Sequence, residues 1–342
     1  MDFRVSDEQR MIAETVQGAL ADLCAREALR KGGPFDTARW RALADLGLTG
    51  ALLPEGAGGV GLDEAAFAAI ARAAGTALLP EPLIDSAGVA LPLLHELAGD
   101  DFAQDMAAMA AGDGHAILFH PLRRFAPHAD SARLILLADE DGNLLVGPPA
   151  AFVLNAQPTV DPLTKLFTAE PGPGAQRFPA APAAKNALAL ASDRGALFTA
   201  AALAGIARGV QALSVAYAHE RRQFGRAIGA NQAVKHMLAE VEVQLAFLTP
   251  VIEAAAALLP RQDETARAHL ANARLRASRV ADMATRRAVQ VHGAMGYSWE
   301  TDVHLFLKRA LVLDTGWGDT APHMTRVAAR AFGSDIGPGA LF

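Results

Sequence analysis

The chain has 342 residues, of which 51% are hydrophobic and 20% are charged, and its formal net charge is -6 at pH 7. One hydrophobic core seldom serves so long a chain, so we expect two or three packed units. The acidic balance argues against a nucleic-acid partner, and the single cysteine, Cys24, excludes an intrachain disulfide and a cysteine-based metal cluster. No basic segment precedes an apolar run at the start, and no stretch has the length of a membrane span, so the sequence predicts a cytoplasmic protein.

Residues 1–114 predict an N-terminal helical domain. Ser6 begins a cap-like Ser-Asp-Glu-Gln segment, and the apolar residues after it recur at the three-to-four spacing of a helix. Further helices are predicted at 37–46 and 62–74. The breaks between them are Gly32-Gly33-Pro34 and the glycine-rich loop at 54–59, whose composition requires unusual backbone angles.

Residues 115–185 predict a small β domain. Short apolar runs at 116–119, 134–137 and 144–146 are separated by Asp, Gly and Pro. His115, His120 and His128 fall in this region at spacings of five and eight, with no supporting carboxylate pattern. We therefore predict no metal site.

Residues 186–342 predict a C-terminal four-helix bundle. The helical period returns at 188–221, 232–259, 263–291, 302–310 and 322–332. One face of the second helix is apolar, as a bundle requires, and it carries Val234, Met237, Leu238, Val241, Leu245 and Leu248. The predicted fold is mainly α with a small β domain between two helical domains.

A basic segment ends the first bundle helix. Arg221 and Arg222 precede a Phe-Gly pair, where cationic side chains suit the C-terminal pole of a helix. Gln232 begins the next helix, and residues 290–293 end the one after it. A diphosphate is bound by a forked cation, amide donors and a close backbone approach at glycine, and these segments together offer all three.

These segments resemble the acyl-CoA dehydrogenase family. The C-terminal resemblance lies in 221–225, Gln232 and 290–297, and the N-terminal resemblance lies in residues 3–8, in 40–48 and in the loop at 54–62. The resemblance covers both helical regions and fails between residues 115 and 184, where the family's flavin-ring loop has no counterpart. It implies the family's fold, with a shortened middle β domain, and FAD as the cofactor.

The resemblance also implies roles for five residues, which we call the clasp. In the family, the residues that match Arg221, Phe224 and Gln232 reach the diphosphate and adenine end of an FAD bound mainly by a neighbouring subunit. Gln290 and Gly293 fall in the segment that contacts the same end. The resemblance therefore implies that the clasp of this chain would contact the FAD of a neighbouring subunit.

The catalytic base of the family has no acidic counterpart here. The family places a glutamate at one of two positions, and these correspond to Trp317 and Gly195. Asp314 and Asp319 flank the first position. Asp319 is the weak candidate for a catalytic residue, although an ordinary helix-capping aspartate is the simpler interpretation.

The leading hypothesis is a subunit of a heteromeric, α2β2 acyl-CoA dehydrogenase that lacks the base and retains the clasp. By resemblance, its partners are a homologous larger subunit, an acyl-CoA substrate such as a bulky steroid side-chain thioester, and an electron-transfer flavoprotein or similar acceptor. Two alternatives stay open. One is a self-sufficient homotetramer that uses an acid such as Asp319, and the other is a catalytically inactive scaffold or binding member of the family.

Overall fold

The computed structural model of the protein describes residues 6–25, 27, 29, 35–98 and 100–333. The Gly32-Gly33-Pro34 break and the first residues of the N-terminal resemblance lie outside the described residues. Two helical regions flank a small β region, and the predicted fold class is confirmed. The observed elements also follow the predicted order of helices, strands and helices.

The N-terminal region is helical and begins with a complete capping box. The amide of Gln9 donates to the Ser6 hydroxyl at 3.1 Å, and the amide of Ser6 donates to the Gln9 side chain at 3.0 Å. A seven-residue π-helix at Ile84–Ala90 precedes the fourth α-helix. Among the described residues, the α-helices with defined bounds are α1 (Asp7–Leu23), α2 (Thr37–Asp45), α3 (Glu64–Ala77), α4 (Leu91–Ala98) and α5 (Ala103–Ala110).

Seven strands form two small sheets. The first has the order β1-β3-β4-β7, with β1 and β3 parallel and the other pairs antiparallel, and the second has the order β2-β6-β5. Three strands were predicted and lie where expected, whereas the others were missed. The strands are β1 (Ala116–Phe119), β2 (Ala126–Pro127), β3 (Leu134–Ala138), β4 (Leu144–Gly147), β5 (Phe152–Gln157), β6 (Leu166–Pro171) and β7 (Gln176–Phe178).

The C-terminal region is a bundle around one long central helix, α6 (Pro182–Glu220). Helix α6 packs against α3 so closely that a Cβ added at Gly205 would lie 2.0 Å from the carbonyl oxygen of Arg72. A short hairpin, β8 (Arg222–Gln223) and β9 (Arg226–Ala227), joins the first two bundle helices. The helices are α6 (Pro182–Glu220), α7 (Gln232–Leu258), α8 (Glu264–His292), α9 (Val303–Asp314) and α10 (Thr320–Phe332).

A buried arginine ties the three regions together. Arg309 on α9 pairs with the buried carboxylate of Asp161 in the β region and donates to the carbonyl oxygen of Leu79 at 2.7 Å in the N-terminal region. Its partners are buried with it, as a charge removed from water requires. These contacts fix the β region against both helical regions.

Two helices correct the prediction that no segment could span a membrane. By length and composition alone, α6 and α7 are long and apolar enough to do so. The expectation failed because it counted continuous apolar runs, whereas these helices carry a few polar residues among many alanines. The apolar window of α6 is 83% buried, as in a core helix, but that of α7 is only 39% buried. Part of the apolar surface of α7 is therefore exposed.

Candidate functional site

Three helix ends carry the clasp. Arg221 follows the end of α6, Gln232 begins α7, and Gln290 and Gly293 lie at the end of α8. The ends of α6 and α8 touch, because the rings of Tyr217 and His292 stack with their centroids 4.2 Å apart. The fold therefore brings the segment that carries Arg221 close to the segment at 290–293.

The hairpin between α6 and α7 presents Phe224 at its tip. Arg222 pairs with Ala227 and Gln223 with Arg226, so Phe224 and Gly225 form the two-residue turn. Both turn residues have positive φ, 49° and 80°, which is the geometry of a type I′ turn. A bulky residue in that conformation is strained, and Phe224 is also 98% exposed. An apolar ring is thus held in a strained turn with almost no contact to the rest of the chain.

The clasp offers hydrogen-bond donors with few internal partners. Within the described part of the chain, the exposed side chains of Arg221 and Arg222 make no hydrogen bond or ion pair. The Gln232 side-chain oxygen lies 2.9 Å from His236 Nε2, so its amide NH2 group remains a donor. Asn231 precedes α7 without a side-chain cap, which leaves first-turn amides of α7 open to an anion.

The end of α8 adds an open backbone approach. Gln290 is exposed, and Gly293 has a φ of 61° with nothing within 4 Å of where a Cβ would stand. A phosphate oxygen can approach such a glycine closely. A diphosphate is bound by guanidinium groups, amide donors and backbone that it can approach closely at a glycine. The clasp residues offer these groups, so they fit the diphosphate end of FAD.

Trp317 and Gly195, the two positions to which the resemblance assigns the family's base, lie against each other. The indole of Trp317 is 1% exposed and covers Gly195 on α6, where an added Cβ would lie 2.2 Å from Trp317 Cδ2. Trp317 has a φ of 59° and stands between two glycines. The ring therefore fills the volume that a side chain at position 195 would take.

Several contacts hold the turn that carries Trp317. The carbonyl oxygen of Trp317 is 3.0 Å from His323 Nε2, and the amide of Gly318 donates to the Leu122 carbonyl at 2.9 Å. Buried Arg274 donates to the carbonyl oxygens of Asp314 at 2.8 Å and Gly316 at 3.2 Å. The turn is fixed from the bundle and from the β region at once.

The segment at 120–124 packs beside this turn. Arg123 forms a buried ion pair with Asp85 at 3.0 Å, and a Cβ at Gly316 would lie 2.1 Å from Arg123 Nη1. The His120 ring centroid lies 6.1 Å from that of Trp317. The arginine of this segment is therefore used in an internal ion pair.

The histidines around Trp317 are neutral at pH 7. Burial lowers the pKa of His120 to about 4, with a smaller contribution from Arg326. Burial also lowers the pKa of His323 to about 4, and the charge of Arg274 acts in the same direction. Neither imidazole is therefore poised to exchange a proton near neutral pH.

The acidic residues that flank Trp317 have structural partners. Asp319 is exposed and caps α10, because its carboxylate accepts a hydrogen bond from the amide of Ala321 at 3.0 Å. Asp314 pairs with Arg274 at 2.9 Å. The nearby cavity, whose walls include Asp85, Arg123 and Thr199, holds about 60 Å³. Neither carboxylate lies in a dry pocket with room for an acyl chain.

Two contributors to these sites were missed from the sequence, Arg274 and Tyr217. Arg274 stands on the buried stripe of α8 with Leu270, Ala273 and Ala277, and that position among apolar residues was the available signal. Tyr217 lies one turn before Arg221, and no local pattern indicates its ring partner. Both act through contacts between helices that are distant in sequence.

This fold, with two helical regions around a small β region, is that of the acyl-CoA dehydrogenase family. The family description "Acyl-CoA dehydrogenase, N-terminal domain" matches residues 6–106, and "Acyl-CoA dehydrogenase, C-terminal domain" matches residues 187–332. The chain belongs to the acyl-CoA dehydrogenase family. Members of this family are FAD flavoproteins, so the predicted enzyme class, a flavoprotein oxidoreductase, and the predicted cofactor are confirmed.

Among its relatives, acyl-CoA dehydrogenase IpdE2 of Mycobacterium tuberculosis is 31% identical over 313 residues, 89% of this chain and 91% of that protein. A chain of the ChsE4-ChsE5 complex from Mycobacterium tuberculosis has a TM-score of 0.86 at 20% identity and covers 98% of this chain and 100% of its own length. A chain of the Tcur3481-Tcur3483 steroid ACAD has a TM-score of 0.83 at 21% identity and covers 96% and 99%. At such identities the two structures show the fold alone.

Proposed function

We propose that this chain is the non-catalytic subunit of a heteromeric, FAD-dependent acyl-CoA dehydrogenase. It contributes the clasp to a flavin whose reactive ring is held by a homologous, larger subunit. The observation that supports the proposal most strongly is the contact of Trp317 with Gly195, because the ring leaves no room for a side chain at position 195. By the resemblance, these are the two positions where the family places its base.

The chemistry of the reaction explains why that contact matters. The proton next to a thioester carbonyl is weakly acidic, so its removal needs a carboxylate in a dry pocket that raises its pKa. A bound FAD would supply the acceptor for the hydride of the β-carbon. By the resemblance to the family, buried Trp317 holds one of the two positions expected for such a carboxylate, and the adjacent cavity of about 60 Å³ is far below the volume of ligand pockets.

An exposed apolar surface on α7 supports a second chain. Val243 is 49% exposed and Phe247 is 65% exposed, and Ala239, Ala246 and Pro250 are exposed on the same helix. Exposed apolar surface of this kind marks an interaction site. Because α7 begins at clasp residue Gln232, a partner that covers this helix also lies near the clasp. The likeness in fold to a chain of the ChsE4-ChsE5 complex supports a two-chain assembly.

We extend the proposal to substrate and acceptor. The steroid ACAD among the fold relatives supports a bulky, steroid-derived acyl-CoA as substrate. An electron-transfer flavoprotein or a similar acceptor would reoxidise the flavin, and the assembly would work in the cytoplasm. No clasp residue selects a particular acyl chain, so the substrate proposal rests on this likeness.

Flavin content after co-expression tests the proposal. The chain is purified alone and together with a longer homologue that carries a glutamate at one of the two base positions. We expect colourless protein alone and an FAD-loaded complex, and Arg221→Ala should release FAD from the complex. Arg177→Ala is the control, since Arg177 is an exposed arginine of the small β domain. Retention of FAD by the Arg221→Ala complex would show that the clasp has no such role.

The structure weighs against the self-sufficient alternative. That hypothesis needs Asp319 or another acid near the reacting carbon, whereas the Asp319 carboxylate is exposed and caps α10. The inactive scaffold would be supported if the complex oxidised acyl-CoA equally well with and without an intact clasp. Turnover of the Arg221→Ala complex therefore separates the scaffold from the proposed function.

A further inference from the structure

One ring pair links the two helix ends that carry clasp residues. The rings of Tyr217 and His292 lie 4.2 Å apart between centroids, with their planes 20° apart. Parallel contact of this kind stabilises a ring pair beyond the area that it buries. Tyr217 lies one turn before Arg221, and His292 lies between Gln290 and Gly293. The stack therefore fixes one half of the clasp against the other.

Each ring is also fixed on its own helix. The amide of Arg221 donates to the carbonyl oxygen of Tyr217 at 2.8 Å, which places the arginine directly after the last turn of α6. His292 Nδ1 lies 2.8 Å from the carbonyl oxygen of Ala288. Because a carbonyl oxygen can only accept, Nδ1 carries the hydrogen, and this bond sets the orientation of the ring.

The backbone around the pair leaves little room for adjustment. A Cβ at Gly296 would lie 2.8 Å from the carbonyl oxygen of Val289 and 3.2 Å from the Cβ of His292. On the α6 side, a Cβ at Gly229 would lie 2.9 Å from the carbonyl oxygen of Ala218. The segments that follow both helices are folded back onto them, so a shift of either ring would move its clasp residues as well.

We propose that Tyr217 and His292 are positioning residues for the cofactor. Their stack sets the distance between Arg221 and the turn at 290–293, and so determines how tightly the clasp retains the diphosphate end of FAD. Neither ring needs to touch the cofactor, because contacts made at several points weaken when their supports shift by a fraction of an ångström. This inference rests on the proposed function.

The test uses the co-purified complex with the longer homologue, with FAD release followed by flavin fluorescence. We expect Tyr217→Ala and His292→Ala each to raise the Kd for FAD by about tenfold. Tyr217→Phe keeps the stack and removes only the hydroxyl, so its Kd should stay within about twofold of that of the unaltered complex. The double variant should have no higher Kd for FAD than either single variant, since each single substitution already removes the same contact.

The melting temperature of the complex separates positioning from stability. If Tyr217→Ala lowers it and leaves the Kd for FAD unchanged, the stack is only structural and the inference is wrong, whereas an effect of Arg221→Ala would still support the proposed function. If Arg221→Ala also has no effect, the proposed function itself fails. Should Tyr217→Ala prevent assembly, Tyr217→Leu keeps apolar volume without the flat ring. Weaker retention then supports the inference, and unchanged retention overturns it.

Discussion

Gly195 lies directly beneath the indole of Trp317, with no room for a methyl group between them. A Cβ at Gly195 would stand 2.2 Å from Trp317 Cδ2 and 2.5 Å from Cε2. Backbone atoms of α6 and a ring from the turn before α10 thus form one packed unit. The contact makes the packing there sensitive to the smallest addition.

A methyl group at position 195 should therefore destabilise the protein. We expect Gly195→Ala to reduce the free energy of unfolding by about 1–3 kcal/mol, because overpacking forces the ring or the helix to move. Combined with Trp317→Ala, its cost should fall well below its cost alone, since the ring that it strikes is gone. Chemical denaturation measures both effects. Gly18→Ala on α1 is the control, as nothing lies within 4 Å of its added methyl group.

Removal of one partner of a buried ion pair should reduce the free energy of unfolding more than removal of one partner of an exposed ion pair. Arg39 and Glu81 pair at 2.8 Å with both side chains buried. We expect Glu81→Gln to lower the free energy of unfolding by about 3–5 kcal/mol, because Arg39 stays buried without its counter-charge. Asp282→Ala removes an exposed partner of Arg286 and should cost less than about 1 kcal/mol. Equal losses in urea denaturation would contradict this account.

The free energy of unfolding should fall as the pH drops below the ordinary pKa of histidine. Burial lowers the pKa of His115 from 6.5 to about 4 and that of His128 to about 3. Between pH 6.5 and 4 the unfolded chain binds protons that the folded chain does not, so acid favours unfolding. His115 alone should contribute roughly 3 kcal/mol across that window, at about 1.4 kcal/mol per unit of pKa shift.

Denaturation at a series of pH values measures this loss. Well above pH 6.5 both histidines are neutral in the folded and unfolded states, so their contribution should be constant there. His115→Gln should flatten the slope between pH 6.5 and 4 by the share of one histidine. A slope that the substitution leaves unchanged would show that other groups govern acid unfolding.

Substitutions at Asp319 should affect stability and spare catalysis. Its carboxylate caps α10 through the amide of Ala321. We expect Asp319→Ala to cost about 1 kcal/mol of stability and Asp319→Ser, which can still cap the helix, to cost less. Both variants should leave the kcat of the assembled enzyme unchanged. A large fall in kcat for Asp319→Ser would instead identify Asp319 as the base.

The sequence predicted what is encoded locally. The Ser6 cap, the period of the bundle helices and strand β3 all depend on residues near one another in the chain, and each lies where expected within a few residues. Strand β5 was missed because its residues, Phe-Val-Leu-Asn-Ala-Gln, do not alternate between apolar and polar. Its place depends on long-range pairing, such as that of Asn155 with Thr168.

The site divides in the same way. The clasp segments could be identified because their residue types stand at helix ends that the pattern predicts. The contact of Trp317 with Gly195 could not be predicted, although both positions were singled out, because nothing in either segment shows that they meet. Tyr217 and His292 were not paired for the same reason. Each of these contacts is decided by how whole helices pack.

The FAD content of this chain, purified alone and in complex with its longer homologue, shows whether the chain holds a flavin only as part of a heteromer. We predict no retained FAD in the isolated chain and one FAD for each pair of chains in the complex, lost on Arg221→Ala. An isolated chain that is yellow and whose flavin is reduced by an acyl-CoA would contradict this prediction.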